Sequence, residues 1–583
     1  MKPVFVALLL AALLGMSLRV SPAATPGDIV GHVIAGYQGW FSTPGDGSPV
    51  GNLPVGTGNY HSNFESYPDM REFPDSERFS DPRSAGVLPD AGKATVFASD
   101  RDFTTDLHAR WMKQYGIDVA AIQRFGEVAT DTRYRDQKND VTRRMRRACE
   151  KHGVKFYIEY DTSGSASGGW GPDFARGIEK DWTDFAAGEH MIGSPAYARQ
   201  NGKAVVELWG MGLNDNNIVS SPAPWLALVR WFKERGVYVI GGTPTRWRTG
   251  ERDALPGFDS VYAACDAINP WIVGRFSNVA GADDYARTFL APDLAWCRKK
   301  QIDYIPCVYP GTAFFNTNGK SKNAVPRRGG ELLWRQFVNL RRAGIATCFV
   351  SMFDEFNEAT AIAKSAEDAS MIPAGSYFLT SDADGTPVSS DFYLRLTHDG
   401  GRMLRSQTPL QPTVPTPARN DLFTTSCEEG QPVPIGGATP CTSEQARRGS
   451  RSLRCVVPDT HGNESVLSVP LFEFADHPLP IGVDTILSYW IRPQTDAGRY
   501  VAIDLHFTDG TTLAQTACVD QNGKSLRAGD GHGGTLALGA WRVVTSNLGA
   551  LAGKKIDRIS VVFARRGETE APVAFIDDLQ LSR

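Results

Sequence analysis

Eight short apolar runs, each separated from the next by a helical stretch, constrain the fold of this chain more than any other feature. The runs are rich in Val, Ile and Ala, which is typical of strands that are buried on both faces. They cover residues 33–39, 117–123, 154–160, 204–209, 237–242, 260–268, 303–309 and 345–352. Amphipathic stretches fill the intervals, and several of them end on a glycine, as helices often do.

An alternation of strands and helices predicts a parallel sheet with helices packed on its outside. Eight such units within residues 28–405 favour a (β/α)₈ TIM barrel. A doubly wound open sheet is the alternative, since alternation alone does not show that the sheet closes. In a barrel, the side chains that follow the strands collect at one end.

The eighth run leads without a gap into three carboxylates, Asp354, Glu355 and Glu358. Charge at the rim of a core costs free energy unless it is paired or used. The spacing of Glu355 and Glu358 brings their carboxyl groups onto neighbouring surface if the chain turns helical there. Cleavage of a glycosidic bond needs such a pair. The acids could instead stabilise the N-terminus of the next helix, where negative charge is favoured.

Polar and aromatic side chains also follow most of the other runs, and helix capping gives no reason for that collection. A functional cleft is therefore favoured, with the long stretch 41–102 after the first run as one wall. We predict that Glu355 and Glu358 are catalytic. The side chains predicted to bind substrate are Tyr37, Gln38, Trp40, Gln123, Arg124, Glu159, Asp161, Trp209, Trp271, Tyr309, Asp354 and Asn357.

The composition changes after residue 405. Residues 406–420 contain several prolines, which predicts a stiff, extended linker. Residues 421–583 show short alternating runs separated by turn residues, which predicts an all-β jelly-roll sandwich. This module is similar to the carbohydrate-binding jelly rolls appended to secreted glycosidases. Four of its side chains are candidates either for a sugar platform or for the sandwich core: Tyr489, Trp490, His506 and Trp541.

The first residues have the pattern of a secretory signal peptide at 1–24, with Lys2 before an apolar stretch and small residues before the expected cleavage site. The apolar stretch is short for a membrane span, so we expect none. The mature protein is expected to be secreted, periplasmic or at the cell surface. Bridges between cysteines are permitted there, but the 9 cysteines leave at least one unpaired, and their pairing does not follow from the sequence.

Charge and spacing argue against several functions. Lys and Arg number 61 against 65 Asp and Glu, so no positive excess is available for nucleic acid. No CxxC, Cys/His or HExxH pattern indicates zinc, and a metal-dependent hydrolase using the three acids after the eighth run would lack histidine ligands. We expect the chemistry to need no cofactor. A structural Ca²⁺ in the sandwich is possible at four acids: Glu428, Glu429, Asp577 and Asp578.

Four segments of the barrel region carry a family resemblance: 36–41 (Gly-Tyr-Gln-Gly-Trp-Phe), 106–112, 157–160 (Tyr-Ile-Glu-Tyr) and 354–360 (Asp-Glu-Phe-Asn-Glu-Ala-Thr). Through them, residues 30 to about 400 resemble glycoside hydrolase family 99 and its relatives in the 71/99-like group, the endo-α-mannosidases and endo-α-mannanases. That family typically has Asn-Glu-Trp-His-Glu-Gly-Thr in the last segment. Both Glu positions match here, whereas Asp354, Phe356, Asn357 and Ala359 differ.

The resemblance implies a retaining mechanism. Glu355 would deprotonate the sugar 2-hydroxyl, which closes onto C1 as a 1,2-anhydro sugar. Glu358 would protonate the leaving group and then activate water, and Glu159 would contact the substrate. The changed neighbours are expected to alter the sugar pocket, and a nearby acid such as Asp354 raises the pKa of a carboxyl group. The chemistry is therefore expected to survive more readily than the preference for mannose.

Together these patterns predict a secreted, endo-acting glycoside hydrolase that cleaves an α-linked, mannan-like or other polysaccharide with retention. The alternative is a glycan-binding protein whose barrel is catalytically silent and whose sandwich provides anchoring. The presence of both Glu355 and Glu358 favours the enzyme, since a silent barrel has no need of both.

Overall fold

A computed structural model describes residues 27–50, 64–80, 87–89, 92–166, 170–171, 173–435, 439–457, 466–567 and 570–583. The predicted signal peptide lies outside these residues. Two large hydrophobic cores are separate from one another, the first extending from Ile29 to Leu404 and the second from Phe423 to Leu581. Each core belongs to one of the two regions described below.

The first region contains a parallel sheet. Its strands are β1 (Val33–Tyr37), β2 (Val119–Arg124), β3 (Lys155–Asp161), β4 (Lys203–Trp209), β5 (Tyr238–Thr243), β6 (Ala267–Pro270), β7 (Asp303–Tyr304 and Cys307–Val308) and β8 (Cys348–Val350). The first segment of β7 pairs with β6 and the second with β8, while β8 pairs with β1. The pairing therefore passes round all these strands, as in a TIM-like barrel.

Helices connect the strands and cover the sheet. They are α1 (Asp102–Gln114), α2 (Thr132–His152), α3 (Phe174–Asp181), α4 (Pro222–Glu234), α5 (Asp259–Tyr262), α6 (Val279–Tyr285), α7 (Ala291–Lys300), α8 (Glu331–Arg342) and α9 (Phe392–Leu404). The longest, α2, begins after Asp131, whose side chain accepts from a backbone N–H of the first turn, and ends at Gly153 with φ 70°. Its buried side chains Val141, Met145 and Cys149 recur every four residues, which is the period of a single helix face.

The sixth strand differs from the prediction. Residues 260–268 were expected to form it, but the chain forms the short helix α5 there and the strand only at Ala267–Pro270. Short apolar runs suit a buried helix turn as well as a buried strand, so period alone does not separate them. The seventh strand is interrupted before Cys307 because Pro306 has no N–H to donate to the sheet.

The proline-rich segment 406–420 forms no helix or strand and lies against the barrel helices. Arg395 of α9 donates to the Pro417 carbonyl at 2.8 Å, and Trp334 of α8 donates to the Gln411 carbonyl at 3.0 Å. Thr416 donates to Asp399 at 2.6 Å. The segment is therefore bonded along its length to the first region.

The second region consists of antiparallel strands. They are β9 (Asp421–Thr425), β10 (Cys441–Thr442), β11 (Ser452–Val456), β12 (Val466–Glu473), β13 (Leu479–Pro480), β14 (Ile486–Pro493), β15 (Val501–Phe507), β16 (Arg542–Asn547), β17 (Lys555–Ala564) and β18 (Val573–Ser582). One sheet is centred on β18 and β14, the other on β17. Side chains of both sheets share one core, whereas the jelly-roll order of connections stays a prediction.

One disulfide, between Cys427 and Cys441, joins the loop after β9 to β10, with a Cα–Cα distance of 5.5 Å. The other seven cysteines are free thiols, and all of them except Cys518 are buried. Among the helices that the structure describes, none has both the length and the apolar character needed to cross a membrane.

Candidate active site

The chain after β8 makes a single tight turn that carries two acids. Glu355 immediately precedes the 3₁₀ turn Phe356–Glu358, and Glu358 ends it. The next residue, Ala359, has a left-handed backbone with φ 52°, which costs about 1 kcal/mol for a residue other than glycine. Arg327 holds this conformation by donating to the Ala359 and Ala361 carbonyls at 2.8 and 2.7 Å. The turn thus fixes both acids at the carboxyl end of the barrel.

Glu355 is buried and oriented by two donors. The side-chain amide of Gln38 donates to one of its oxygens at 2.6 Å, and the Thr360 hydroxyl donates to the other. No ion pair with a described residue neutralises it. Burial raises the pKa of Glu355 well above its usual range, and the neighbouring charges of Glu358 and Asp354 raise it further.

Glu358 is more accessible than Glu355. Its backbone carbonyl accepts from Thr312 and Ala313, whereas its carboxyl group accepts no hydrogen bond from the residues that the structure describes. Burial raises the pKa of Glu358 to about 7, with further contributions from the charges of Asp161 and Glu65. A carboxyl group with this pKa can hold or release a proton near neutral pH.

Two further acids lie side by side on neighbouring strands, since Glu159 of β3 is the register partner of Glu207 of β4. Glu207 accepts from the Tyr157 hydroxyl at 2.6 Å and from the Asn269 amide at 3.0 Å. Gln123 donates to one oxygen of Glu159 at 3.1 Å. Burial raises the pKa of Glu207 to about 7, and burial together with the charge of Glu207 raises the pKa of Glu159 well above its usual range.

Asp161 ends β3 and connects these strand acids with the pair after β8. It is 8% exposed and accepts from the Ser163 backbone at 2.8 Å. Burial raises its pKa to about 6. Its charge contributes to the raised pKa values of Glu159, Glu355 and Glu358, which shows that these carboxyl groups share one electrostatic environment.

Several buried polar atoms at this end of the barrel have no hydrogen-bond partner. Buried polar groups are nearly always paired, so unpaired ones mark places where a polar ligand can bind. The atoms are Gln38 Oε1, Trp40 Nε1, Gln123 Oε1, Glu159 Oε2, Trp209 Nε1 and Asn357 Oδ1. All six belong to residues that were predicted to bind substrate.

Half-buried aromatic rings border the same end of the barrel. Trp40 stacks on Phe125 with ring centres 4.5 Å apart, and Trp209 meets Trp271 edge-on at 6.0 Å. The rings of Trp40, Trp209 and Trp271 are partly exposed, so they offer apolar faces of the kind that sugar rings contact.

Asp354 is buried and bonds to the backbone that follows β1. One of its oxygens accepts from the Gln38 backbone at 2.7 Å and the other from the Gly39 backbone at 2.9 Å. Burial raises the pKa of Asp354 to about 6, while these donors and Lys138 oppose the shift. Asp354 thereby holds the chain after β1 in place, and with it the Gln38 side chain that contacts Glu355.

Three other residues predicted to bind substrate have polar groups bonded to the protein, although Arg124 Nη1 is buried without a partner. Arg124 is fully buried and forms an ion pair with Asp181 at 2.6 Å. The Tyr309 hydroxyl donates to the Phe276 carbonyl. The Tyr37 hydroxyl lies 3.1 Å from a ring nitrogen of a buried histidine of α1. The structure therefore does not bring these polar groups together with the carboxyl cluster, and their contact with substrate stays a prediction.

The structure adds Glu65, which the sequence did not single out. The Glu65 N–H donates to the Phe356 carbonyl at 2.9 Å, and one carboxyl oxygen accepts from the Thr317 backbone at 2.8 Å. The other carboxyl oxygen is buried without a partner. Burial raises the pKa of Glu65. The long stretch after β1 thus contributes an acid beside Glu358.

No group of three or more His, Cys, Asp or Glu side chains within the described ranges is arranged to hold a metal ion. Of the acids suggested for Ca²⁺, Asp577 accepts from the Arg447 backbone at 2.8 Å and Asp578 pairs with the Arg447 guanidinium at 2.9 Å. Glu428 accepts from backbone N–H groups, and Glu429 is exposed. The calcium site stays a prediction.

The buried acids make stability depend on pH. Because their pKa values are raised, the folded protein holds protons that the unfolded chain loses above about pH 4.5, so the free energy of unfolding falls as pH rises towards about 7. We expect Glu207→Gln to reduce this fall by up to about 1.4 kcal/mol per pH unit. Urea unfolding of both proteins at about pH 5, 6 and 7 measures this difference in the free energy of unfolding.

The matched control is Glu234→Gln, because Glu234 is exposed at the end of α4. This variant should leave the pH dependence of unfolding unchanged. If the free energy of unfolding fell equally steeply with pH in Glu207→Gln and in the wild type, Glu207 would be ionised in the folded protein.

No protein-family model matches this chain, and no curated protein matches it either. Solved structures similar to it include a GH99 endo-α-mannosidase from Bacteroides thetaiotaomicron, at 15% identity and a TM-score of 0.44, covering 65% of this chain and 98% of that one. A glycoside hydrolase-like protein matches at 14% identity and a TM-score of 0.42, covering 65% of this chain and 96% of that one. A family 39 glycoside hydrolase from Bacteroides cellulosilyticus matches at 10% identity and a TM-score of 0.30, covering 80% and 79%. The family that the sequence motifs resemble is therefore among the similar structures.

Proposed function

We propose that this protein is a glycoside hydrolase that cleaves an α-linked glycan with retention, using Glu355 and Glu358. One observation carries the proposal. The two acids flank a single turn at the carboxyl end of the barrel, share the electrostatic influence of Asp161, and form no ion pair with a described residue. Acids that only stabilise a fold are usually paired with cations, because burying an unpaired charge is costly.

Glu358 is the general acid and base. It is only partly buried, so a leaving group and a water molecule can reach it, and its pKa of about 7 lets it carry a proton at neutral pH. It donates this proton to the departing glycosidic oxygen. In the second step it takes a proton from the attacking water, which restores its starting state.

Glu355 acts on the sugar itself. With Glu358 protonated, the largest charge that raises the Glu355 pKa is removed, and the Gln38 and Thr360 donors favour its carboxylate form. The proposed mechanism starts with the proton on Glu358 and with Glu355 ionised. Glu355 takes the proton of the sugar 2-hydroxyl, the 2-oxygen bonds to C1, and the bond from C1 to the leaving oxygen breaks. Water then opens this 1,2-anhydro sugar at C1, and the 2-oxygen regains its proton.

An exported location and endo action belong to the same proposal. The Cys427–Cys441 disulfide supports export, because disulfides persist in oxidising compartments. Endo action rests on the resemblance of the motifs. The unpaired acceptors of Gln38, Gln123 and Glu159 suit the hydroxyl donors of a sugar held deep in the cleft.

The proposal is tested with a panel of α-mannans and other α-linked polysaccharides, with the first-formed product followed by proton NMR. We expect the α-anomer to form first and the products to be oligosaccharides of several lengths. A protein carrying Glu355→Gln together with Glu358→Gln, purified in the same way, controls for contaminating glycosidases. Initial release of the β-anomer would contradict retention, and a wild type no more active than this control would contradict the enzyme.

A further inference from the structure

A cavity of about 810 Å³ lies between the barrel and the sandwich. Residues 67–80 and Glu367 form its wall on the barrel side, and β14, β18 and the chain around Trp541 form the other wall. Ion pairs cross the boundary beside it, between Arg448 and Asp368 and between Arg542 and Asp75. Volumes of about 300–1,000 Å³ at domain boundaries are typical of ligand sites.

Two tryptophans of the sandwich line this cavity. Trp490 and Trp541 are both partly exposed. The Arg447 guanidinium lies 3.9 Å from the centre of the Trp490 ring. The Trp541 ring has no aromatic or cationic partner among the residues that the structure describes. A half-buried ring without a partner offers its face to a ligand, and sugar rings pack well on such faces.

The cavity is lined by more cations than acids, although most of these cations are paired. Seven of the side chains that line it are Lys or Arg, and five are Asp or Glu. The whole chain has a net charge of −4. Arg419 and Arg448 also pair with Asp421 and Asp368, which lie outside the lining. Arg78 and Lys93 are then the lining cations that form no ion pair with a described carboxylate, and such cations favour an anionic ligand.

Arg78 is one of the two lining cations that form no ion pair with a described carboxylate. Its guanidinium donates only to the Phe73 and Arg71 carbonyls, at 2.8 and 3.5 Å, and no described carboxylate forms an ion pair with it. Burial lowers the pKa of Arg78 to about 10, the charges of Asp75 and Asp69 oppose this shift, and the charge of Arg542 adds to it. A guanidinium free of carboxylates binds an acidic group of a ligand through parallel hydrogen bonds.

We propose that this cavity binds a glycan that carries carboxylate or sulfate groups. Trp541 packs on a sugar ring, and Arg78 binds an acidic group of the same chain. The choice of a glycan rests on the proposed function, whereas the negative charge of the ligand rests on the cavity itself.

A short length of backbone connects the wall of the cavity with the candidate active site. Glu65 contacts the turn before Glu358, while Tyr67 and Asp69 already line the cavity. Four residues of extended chain span at most about 14 Å. The backbone of residues 65–69 therefore separates the cavity wall from the turn before Glu358 by no more than this distance.

Binding is measured by calorimetry on the full chain carrying Glu358→Gln, which prevents turnover. The ligands are oligogalacturonate, a sulfated galactan oligosaccharide and a neutral manno-oligosaccharide. We expect an anionic ligand to bind more tightly than the neutral one, and we expect its affinity to fall as salt is added. Binding of oligogalacturonate would identify the preferred acidic group as a carboxylate, and binding of the sulfated oligosaccharide would identify it as a sulfate. Arg78→Gln and Trp541→Ala should each raise its Kd at least about 10-fold, and Arg78→Lys should raise it less.

Arg342→Gln is the matched control, because Arg342 is exposed on α8, away from the cavity. It should leave the Kd unchanged, and thermal melting checks that every variant is folded. Equal affinity for the neutral ligand, or a Kd unaffected by both Arg78→Gln and Arg78→Lys, would overturn the inference. Hydrolysis of a short neutral glycoside by the wild type is followed in parallel, so that a failure of the proposed activity is seen separately from a failure of binding.

Discussion

Replacing Glu358 with Gln should lower kcat on natural glycans by about 10²–10⁴-fold, because the departing sugar oxygen no longer receives a proton. Glycosides with a good leaving group, such as a dinitrophenolate, need no such proton. Formation of the anhydro sugar from them should be nearly unaffected, although its hydrolysis slows because the base is missing as well. A rapid burst of phenolate followed by slow turnover is therefore expected in stopped-flow measurements.

The pH dependence of the same variant gives a second measurement. In the wild type, kcat should fall as pH rises above about 7, because the acid becomes deprotonated. This limb should be missing from the Glu358→Gln profile. Glu234→Gln serves again as control, with a kcat and a profile equal to those of the wild type. Near-full turnover of natural glycans by Glu358→Gln would exclude Glu358 as the acid.

Replacing Glu355 with Gln should abolish turnover on both kinds of substrate, by at least about 10³-fold, because a good leaving group does not replace the base that activates the 2-hydroxyl. The fold should be preserved. Glu355 is buried with a raised pKa, so a neutral amide of the same shape removes a carboxyl group whose ionised form is costly there. The free energy of unfolding at neutral pH should stay equal or rise.

Substrate analogues separate the two ways in which Glu355 could act. If it deprotonates the 2-hydroxyl, a 2-deoxy glycoside is not cleaved and a 2-fluoro glycoside leaves no label on the protein. If Glu355 attacks C1 directly, the 2-fluoro glycoside should form a stable ester that mass spectrometry detects as added mass on the peptide containing Glu355. Activity of Glu355→Gln close to that of the wild type would contradict both.

The barrel strands could be located from the sequence because buried parallel strands are apolar along their whole length. The sixth was misplaced because its apolar run continues through a helix turn, and composition does not distinguish the two. The interruption at Pro306 can be read from the sequence. Only the structure shows that the first segment of β7 pairs with β6 and the second with β8.

The site could be predicted where acids, amides or aromatic side chains stand at the end of a strand. Glu207 stands near the end of the fourth run, two residues before Trp209, but its position beside Glu159 depends on the register of β3 and β4, which the sequence does not show. Glu65 comes from a long irregular stretch, and its position beside Glu358 depends on tertiary contacts. Arg124 was expected in the cleft, but a strand end does not reveal which face a side chain takes, and its partner Asp181 lies on a helix.

The proline-rich segment is attached to the barrel at several points rather than hanging free. A loose tether would raise the local concentration of a captured polymer without setting where it is cut. An attached segment instead leaves little free chain between the barrel and the first strand of the sandwich. For a glycan bound to both regions, the length of the glycan as well as its chemistry would then decide whether it can span them.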